Sequence, residues 1–285
     1  MLIALLVPMA LGALVYAFVL LRTAIARREI RPSAEAVAVG AATNFFDTLG
    51  IGSFAPTLAW LKFRRLVPDR NMPCTMIVAH TLPTMTQAAI FLVLLGVLVD
   101  PVLLAGCAIA LTLGGMVGAP LVARARIRLV QLVVACALLI AAALYTLANL
   151  DLMPAGGTAS SLPPPLMAAA IAGNFVLGVL LNFGVGHYAP SLVMLSLMGM
   201  DPRLIFPIMA AGGGLMLAGT SVRHVAAGTA DLRIAVSVLI GGVPAVLVAA
   251  FIVRSMPIEW LRWLVILVVL YAAAMMLRSA LEKSE

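Results

Sequence analysis

The chain has 285 residues, 64% of them hydrophobic and 10% charged, with a mean hydropathy of +1.17. A soluble fold must cover itself with polar groups, so this composition excludes one and points to an integral membrane protein. The formal net charge of +7 does not mark a nucleic-acid binder, because the basic residues gather in short loops between apolar runs.

The first apolar run, residues 2–22, has no basic residues ahead of it, and its charges follow it. It reads as a span entering from outside, not as a cleaved signal. Further apolar segments lie at 35–48, 53–62, 73–99, 101–123, 129–150, 165–182, 187–200, 204–222, 232–253 and 258–280. Long runs without period-two alternation predict helices rather than barrel strands. The Gly-, Ser- and Pro-rich stretch 151–164 is the linker between halves. The expected organisation is a leading helix and loop (1–34), a first repeat (35–150), the linker, and a second, inverted repeat (165–285).

The repeat is visible as a duplicated string. Leu49-Gly50-Ile51-Gly52-Ser53-Phe54-Ala55-Pro56-Thr57-Leu58 returns as Phe183-Gly184-Val185-Gly186-His187-Tyr188-Ala189-Pro190-Ser191-Leu192, 134 positions later (184 minus 50). The same offset carries Pro73 onto Pro207. Each copy holds five segments, an odd number, so the second copy must enter the membrane from the opposite side. The basic clusters Arg22/Arg27/Arg28/Arg31, Lys62/Arg64/Arg65/Arg70 and Arg124/Arg126/Arg128 then fall on the cytoplasmic side. The N-terminus is expected outside and the C-terminus inside. The fold class expected is an all-α polytopic membrane protein built from inverted repeats, with broken or re-entrant helices at Gly50 and Gly184.

Length bears on the breaks. Glu35 to Thr48 is 14 residues, roughly 21 Å of helix against a hydrocarbon core of roughly 30 Å. The arm from Ser53 to Lys62 is shorter still, so the first break is expected inside the bilayer as the tip of a hairpin. Pro165–Asn182 nearly crosses by itself. Irregular backbone at membrane depth is tolerated only when it is buried or lines a wet cavity. Helix starts at Ser53 and His187 then offer amide groups and the positive dipole end to an anion. The alternative is that the glycines serve only close helix packing.

Around the breaks lies most of the intramembrane polarity: Asn44, Asp47, Thr48, Ser53 and Thr57 in the first copy, Asn174, Asn182, His187, Tyr188 and Ser191 in the second. The substrate-binding candidates are Asn44, Gly50, Gly52, Ser53, Asn182, Gly186, His187 and Tyr188. Asp47, the one acidic residue inside an apolar segment, needs a partner or a proton at that depth. It is a proton-coupling candidate; the alternative role is a cap on the hairpin turn. His187 is placed to titrate near neutral pH beside an anion. His80 is a second proton-coupling candidate, and its repeat equivalent is Gly214.

Cys74, Cys107 and Cys136 lack metal-ligand spacing and read as small hydrophobes. Neither a phosphate-binding loop nor a zinc motif nor a Ser-His-Asp grouping appears. No cofactor and no enzymatic activity are therefore expected; the expected partners are a small anion and the lipid bilayer.

A duplicated Gly-rich break followed by Pro and an apolar helix resembles the TauE/SafE family of membrane permeases. The resemblance rests on Gly50-Ile51-Gly52-Ser53 and Gly184-Val185-Gly186-His187, with Ser53 and His187 where a further glycine is more usual. Pro73-Cys74-Thr75 looks like the family's small-residue/Thr turn. The resemblance implies transport of sulfite, sulfoacetate or other organosulfonates across the cell inner membrane, whereas the residues themselves support a small anion. A carboxylate carrier on the same scaffold is the alternative. An intramembrane lipid-pyrophosphate phosphatase would want paired acidic residues and arginines near the breaks, where this chain has one Asp and no Arg.

Overall fold

In the computed structural model the described residues are 2–49, 52–68, 71–95, 98–118, 157–181 and 187–281, with single positions between 132 and 150. Ten helices are described: α1 (Leu2–Ala26), α2 (Ala34–Thr48), α3 (Phe54–Arg64), α4 (Met72–Leu94), α5 (Pro101–Gly118), α6 (Pro164–Leu181), α7 (Tyr188–Leu197), α8 (Pro202–Ala227), α9 (Leu232–Ser255) and α10 (Ile258–Leu281). No strand occurs among the described residues, where only an isolated bridge joins Ala159 to Met200. Among the described residues six helical segments are long and apolar enough to cross a membrane: Leu6–Ala26, Cys74–Leu94, Pro101–Gly118, Pro164–Leu181, Pro202–Ala227 and Leu232–Val253. The chain is an all-α, multi-pass membrane protein. The expected segment at 129–150 and the linker up to residue 156 lie almost wholly outside the described residues.

Helix ends follow local chemistry. Asp100 accepts the N–H groups of Val102 and Leu103 at 2.9 and 3.0 Å, with Pro101 at the first helical position. Asp201 caps α8 in the same way through Arg203 N–H at 2.8 Å, ahead of Pro202. A side-chain oxygen thus takes up an amide that the helix leaves unpaired, and proline gives up none that the helix needs. α1 runs four residues beyond its apolar stretch and carries Arg22 within it, because arginine favours helix and can lay its stem along apolar surface. It ends at Ala26, and the chain turns away at Arg28, which adopts a left-handed conformation at φ 58°.

The chain divides into two units, Met1–Leu94 with Gly213–Val253, and Leu95–Gly212 with Arg254–Glu285. In the first unit α2 lies directly against α9. A Cβ on Gly241 would sit 1.9 Å from the Val37 carbonyl oxygen, and one on Gly40 would sit 2.4 Å from that of Val238. Ser33 N–H donates to the Ser237 hydroxyl at 2.9 Å near the start of this contact, while Gly242 meets Asn44 further along. The two helices therefore run parallel. In the second unit α5 and α6 make the corresponding contact: Gly106 faces Ile171, Gly114 meets the Phe175 carbonyl and Gly178 meets the Leu111 carbonyl. This pair is parallel too.

Chain direction gives those contacts meaning. If each hairpin returns to the side it entered, as the arm lengths lead one to expect, the first and fourth segments within one repeat run in opposite senses. A first segment can lie parallel to a fourth segment from the other repeat only if the repeats enter from opposite sides. Each unit makes that exchange, pairing the first segment of one repeat with the fourth of the other.

Candidate functional site

At the first break, α2 ends at Thr48 and α3 begins at Phe54, with 15 and 11 residues respectively. Neither reaches across a bilayer alone. Gly52 has φ +88°, and nothing lies within 4 Å of where its Cβ would be. The backbone conformation, not crowding, requires glycine there. Ser53 is the residue just ahead of α3, and its N–H donates to Asp47 Oδ1 at 2.7 Å. Asp47 is 4% exposed and Ser53 2%. The carboxylate therefore occupies the amino end of α3, where amides and dipole both favour negative charge. This contact is the one that a cap on the hairpin turn makes.

Deeper in α2, the Asn44 side-chain amide donates to the Gly40 carbonyl at 2.7 Å. That contact fixes which end of Asn44 is the oxygen, since a helix carbonyl accepts only. Asn44 Oδ1 then faces His80 Nδ1 at 2.9 Å, while His80 Nε2 lies 3.0 Å from the Thr57 hydroxyl. Nδ1 must carry a proton and donate. In the neutral ring Nε2 accepts from Thr57, completing a hydrogen-bonded chain across α2, α4 and α3. Asn44, Thr57 and His80 are all essentially buried, and the Phe54 ring covers the imidazole at 5.5 Å between centroids. Apolar contact on one side and a fully paired ring on the other hold His80 in place. Thr43 and Thr48 return their hydroxyls to α2 carbonyls at 2.9 and 2.8 Å.

In the second unit His187 stands at the residue before α7, with helical backbone angles and no side-chain cap bond. Its Nε2 donates to the Met209 carbonyl of α8 at 3.1 Å, and its ring packs on Tyr188 at 4.5 Å. Both residues are buried. One turn into α7, the Ser191 hydroxyl donates to Asn174 Oδ1 at 3.3 Å, and Asn174 in turn donates to the Ala170 carbonyl at 2.9 Å. Gly50, Asn182, Gly184 and Gly186 lie outside the described residues.

The two arms differ in a simple way. α2 carries Gly40 and then Asn44; α6 carries Asn174 and then Gly178. At the 134-residue offset (174 minus 40) the asparagine and glycine exchange places. The histidines follow no such pairing, since His80 corresponds to Gly214, which lies against Met9, Met85 and Ala88. Sequence reasoning named Thr57, Asn174 and Ser191 as polar but gave them no role. Thr57 and Ser191 share the repeat offset, which is the signal that singles them out. Among the described residues no group of three His, Cys, Asp or Glu is placed to hold a metal.

No family model, no curated protein and no solved structure matches this chain. The functional reading therefore rests on the duplicated break and on the residues around it.

Proposed function

We propose that the chain is a secondary transporter that moves a small sulfur-containing anion, such as sulfite, sulfoacetate or another organosulfonate, across the bacterial inner membrane by alternating access. The observation that carries this reading is the Asp47 carboxylate held on Ser53 N–H at 2.7 Å within an apolar chain. A helix start that already retains an internal anion is one that accepts an external one. The proposed orientation has the N-terminus outside and the C-terminus cytoplasmic, following the basic loops.

The chemistry supporting proton coupling is local. An incoming anion and the Asp47 carboxylate compete for the same amide. Proton uptake by Asp47 ends its charge and releases Ser53 N–H to the substrate, which ties one proton to one anion. A sulfonate has three acceptor oxygens, suited to Ser53 N–H and the Gly52 backbone at the start of α3. Asn44 has both ends of its amide engaged, so its role is to orient His80. His80 Nε2, reached through the Thr57 hydroxyl, is the second atom able to take a proton.

The test is counterflow of labelled sulfoacetate and sulfite in proteoliposomes, with and without a pH gradient, against a competing panel of carboxylates. The expected result is sulfonate exchange that a pH gradient accelerates and that Ser53→Pro, which lacks the amide hydrogen, abolishes. Preference for carboxylates would move the substrate class, and exchange unaffected by Ser53→Pro and by His187→Ala would remove each of those residues from substrate binding.

A further inference from the structure

One end of the first unit concentrates positive charge, six arginines against two carboxylates. Arg22, Arg27, Arg28 and Arg31 follow from α1 into its loop, while Arg223 and Arg233 lie at the end of α8 and the start of α9; all six are exposed. The fold joins these stretches. Glu29 accepts Leu232 N–H at 3.0 Å, and the Arg27 guanidinium lies over Gly228, where a Cβ would come within 3.1 Å of Nη2. Gly228 turns at φ +71°, so the turn between α8 and α9 is bare where the guanidinium crosses it.

The two carboxylates at this end both hold amides at the start of α9 and leave an excess of four positive charges (six minus two). Glu29 serves the start of α9, and Asp231 caps the same helix through Ile234 N–H at 2.9 Å. The ion pair found among the described residues joins Arg64 to Glu35 at 2.8 Å and includes none of the six. α1, α8 and α9 each carry a membrane-crossing segment, so their ends, and these arginines, stand at headgroup depth. Guanidinium groups bind phosphate oxygens through two parallel hydrogen bonds, and a bare basic cluster at the end of a spanning helix favours anionic lipid.

We propose that this end of the first unit binds the phosphate headgroup of an anionic phospholipid, held chiefly by Arg27, Arg223 and Arg233. The binding is independent of the transported substrate. It anchors the loop between α1 and α2, and the turn between α8 and α9, to the same lipid layer.

The experiment uses the full-length protein in detergent, with bound lipid measured by mass spectrometry and the unfolding midpoint followed on adding phosphatidylglycerol or phosphatidylcholine. The wild type is expected to retain phosphatidylglycerol selectively and to be stabilised by it alone. Each basic residue near an anionic surface is worth about fivefold in affinity, so the combined Arg27→Gln, Arg223→Gln and Arg233→Gln variant should lose about a hundredfold. The matching triple substitution to lysine, which keeps the charge, should retain most of the preference and serves if the glutamine variant fails to fold. Undiminished phosphatidylglycerol retention in the glutamine variant, or its loss in a folded lysine variant, overturns the proposal. Stabilisation by inorganic phosphate equal to that by phosphatidylglycerol also overturns it, because the ligand would then be a soluble phosphate.

Discussion

Thr57 and Ser191 are the same residue position written twice: each is the fourth residue of the helix that follows a break, and each donates its hydroxyl into a buried network anchored by an asparagine. Thr57 reaches His80 at 3.0 Å and through it Asn44; Ser191 reaches Asn174 directly at 3.3 Å. The hydroxyl ties the short arm of each hairpin to its surroundings, and in the first unit it also controls access to the one imidazole nitrogen that can take a proton.

Removing that hydroxyl has unequal consequences. Thr57→Val leaves His80 Nε2 buried without a donor and should destabilise the protein by about 1–3 kcal/mol, read as a lower unfolding midpoint in detergent. Thr57→Ser should restore most of it. Ser191→Ala breaks a longer bond and should cost about 0.5–1.5 kcal/mol. Equal losses at the two positions would contradict the difference in geometry.

Asp47 separates capping from coupling. Asp47→Asn keeps an oxygen for Ser53 N–H, so the protein should fold with a loss near 1 kcal/mol while transport loses its dependence on a pH gradient. Asp47→Ala removes the acceptor as well and should cost about 1–2 kcal/mol more, in line with the loss of a helix cap. Thermal unfolding and counterflow on the two variants check this, and a gradient response retained in Asp47→Asn would move the coupling proton elsewhere.

The parallel helix pairs depend on bare backbone. Gly241→Ala and Gly178→Ala place a methyl group 1.9 and 2.1 Å from the carbonyl oxygens of Val37 and Leu111. The facing helices must then move apart, at about 1–3 kcal/mol or more. Gly219→Ala in α8 meets nothing within 4 Å and should be neutral or stabilising by about 0.5–1 kcal/mol, because alanine favours helix. Unfolding midpoints of the three variants make the comparison.

At its outer end the first hairpin is closed by Glu35, which accepts Trp60 Nε1–H at 3.0 Å and pairs with Arg64 at 2.8 Å. The Trp60 bond first and Arg64 second hold the Glu35 carboxyl below its ordinary 4.5. A depressed acid contributes stability above its unfolded-state value and loses it as pH falls through the folded one. The closure should therefore hold at neutral pH and open in acid, as pH falls through the lowered value of the Glu35 carboxyl. Trp60 fluorescence in a Trp260→Phe/Trp263→Phe background should follow that transition, and Glu35→Gln should show the acid-like signal at pH 7.

Much of the architecture was legible in the chain itself. The apolar runs predict the helices to within a few residues, since hydropathy and length are local properties of sequence and the bilayer fixes what length must mean. The helix starts at Phe54 and Tyr188 follow the duplicated string, and an odd number of segments per copy already demands inversion. Asp47 was legible as an intramembrane acid needing a partner, but its partner was not, because Ser53 N–H approaches it only once the chain turns at Gly52.

The remaining contacts belong to tertiary structure. His80 lies 36 positions from Asn44 and 23 from Thr57, and no periodicity along α4 announces either. The exchange of fourth segments between repeats depends on Gly40, Gly241, Gly114 and Gly178, whose missing side chains matter only where another backbone arrives. Sequence by itself determined a membrane protein of duplicated, interrupted helices, because burial in lipid constrains every residue along the chain. Which buried polar groups meet was decided by packing, because a hydrogen bond depends on distances of about 3 Å between residues that the chain order keeps apart.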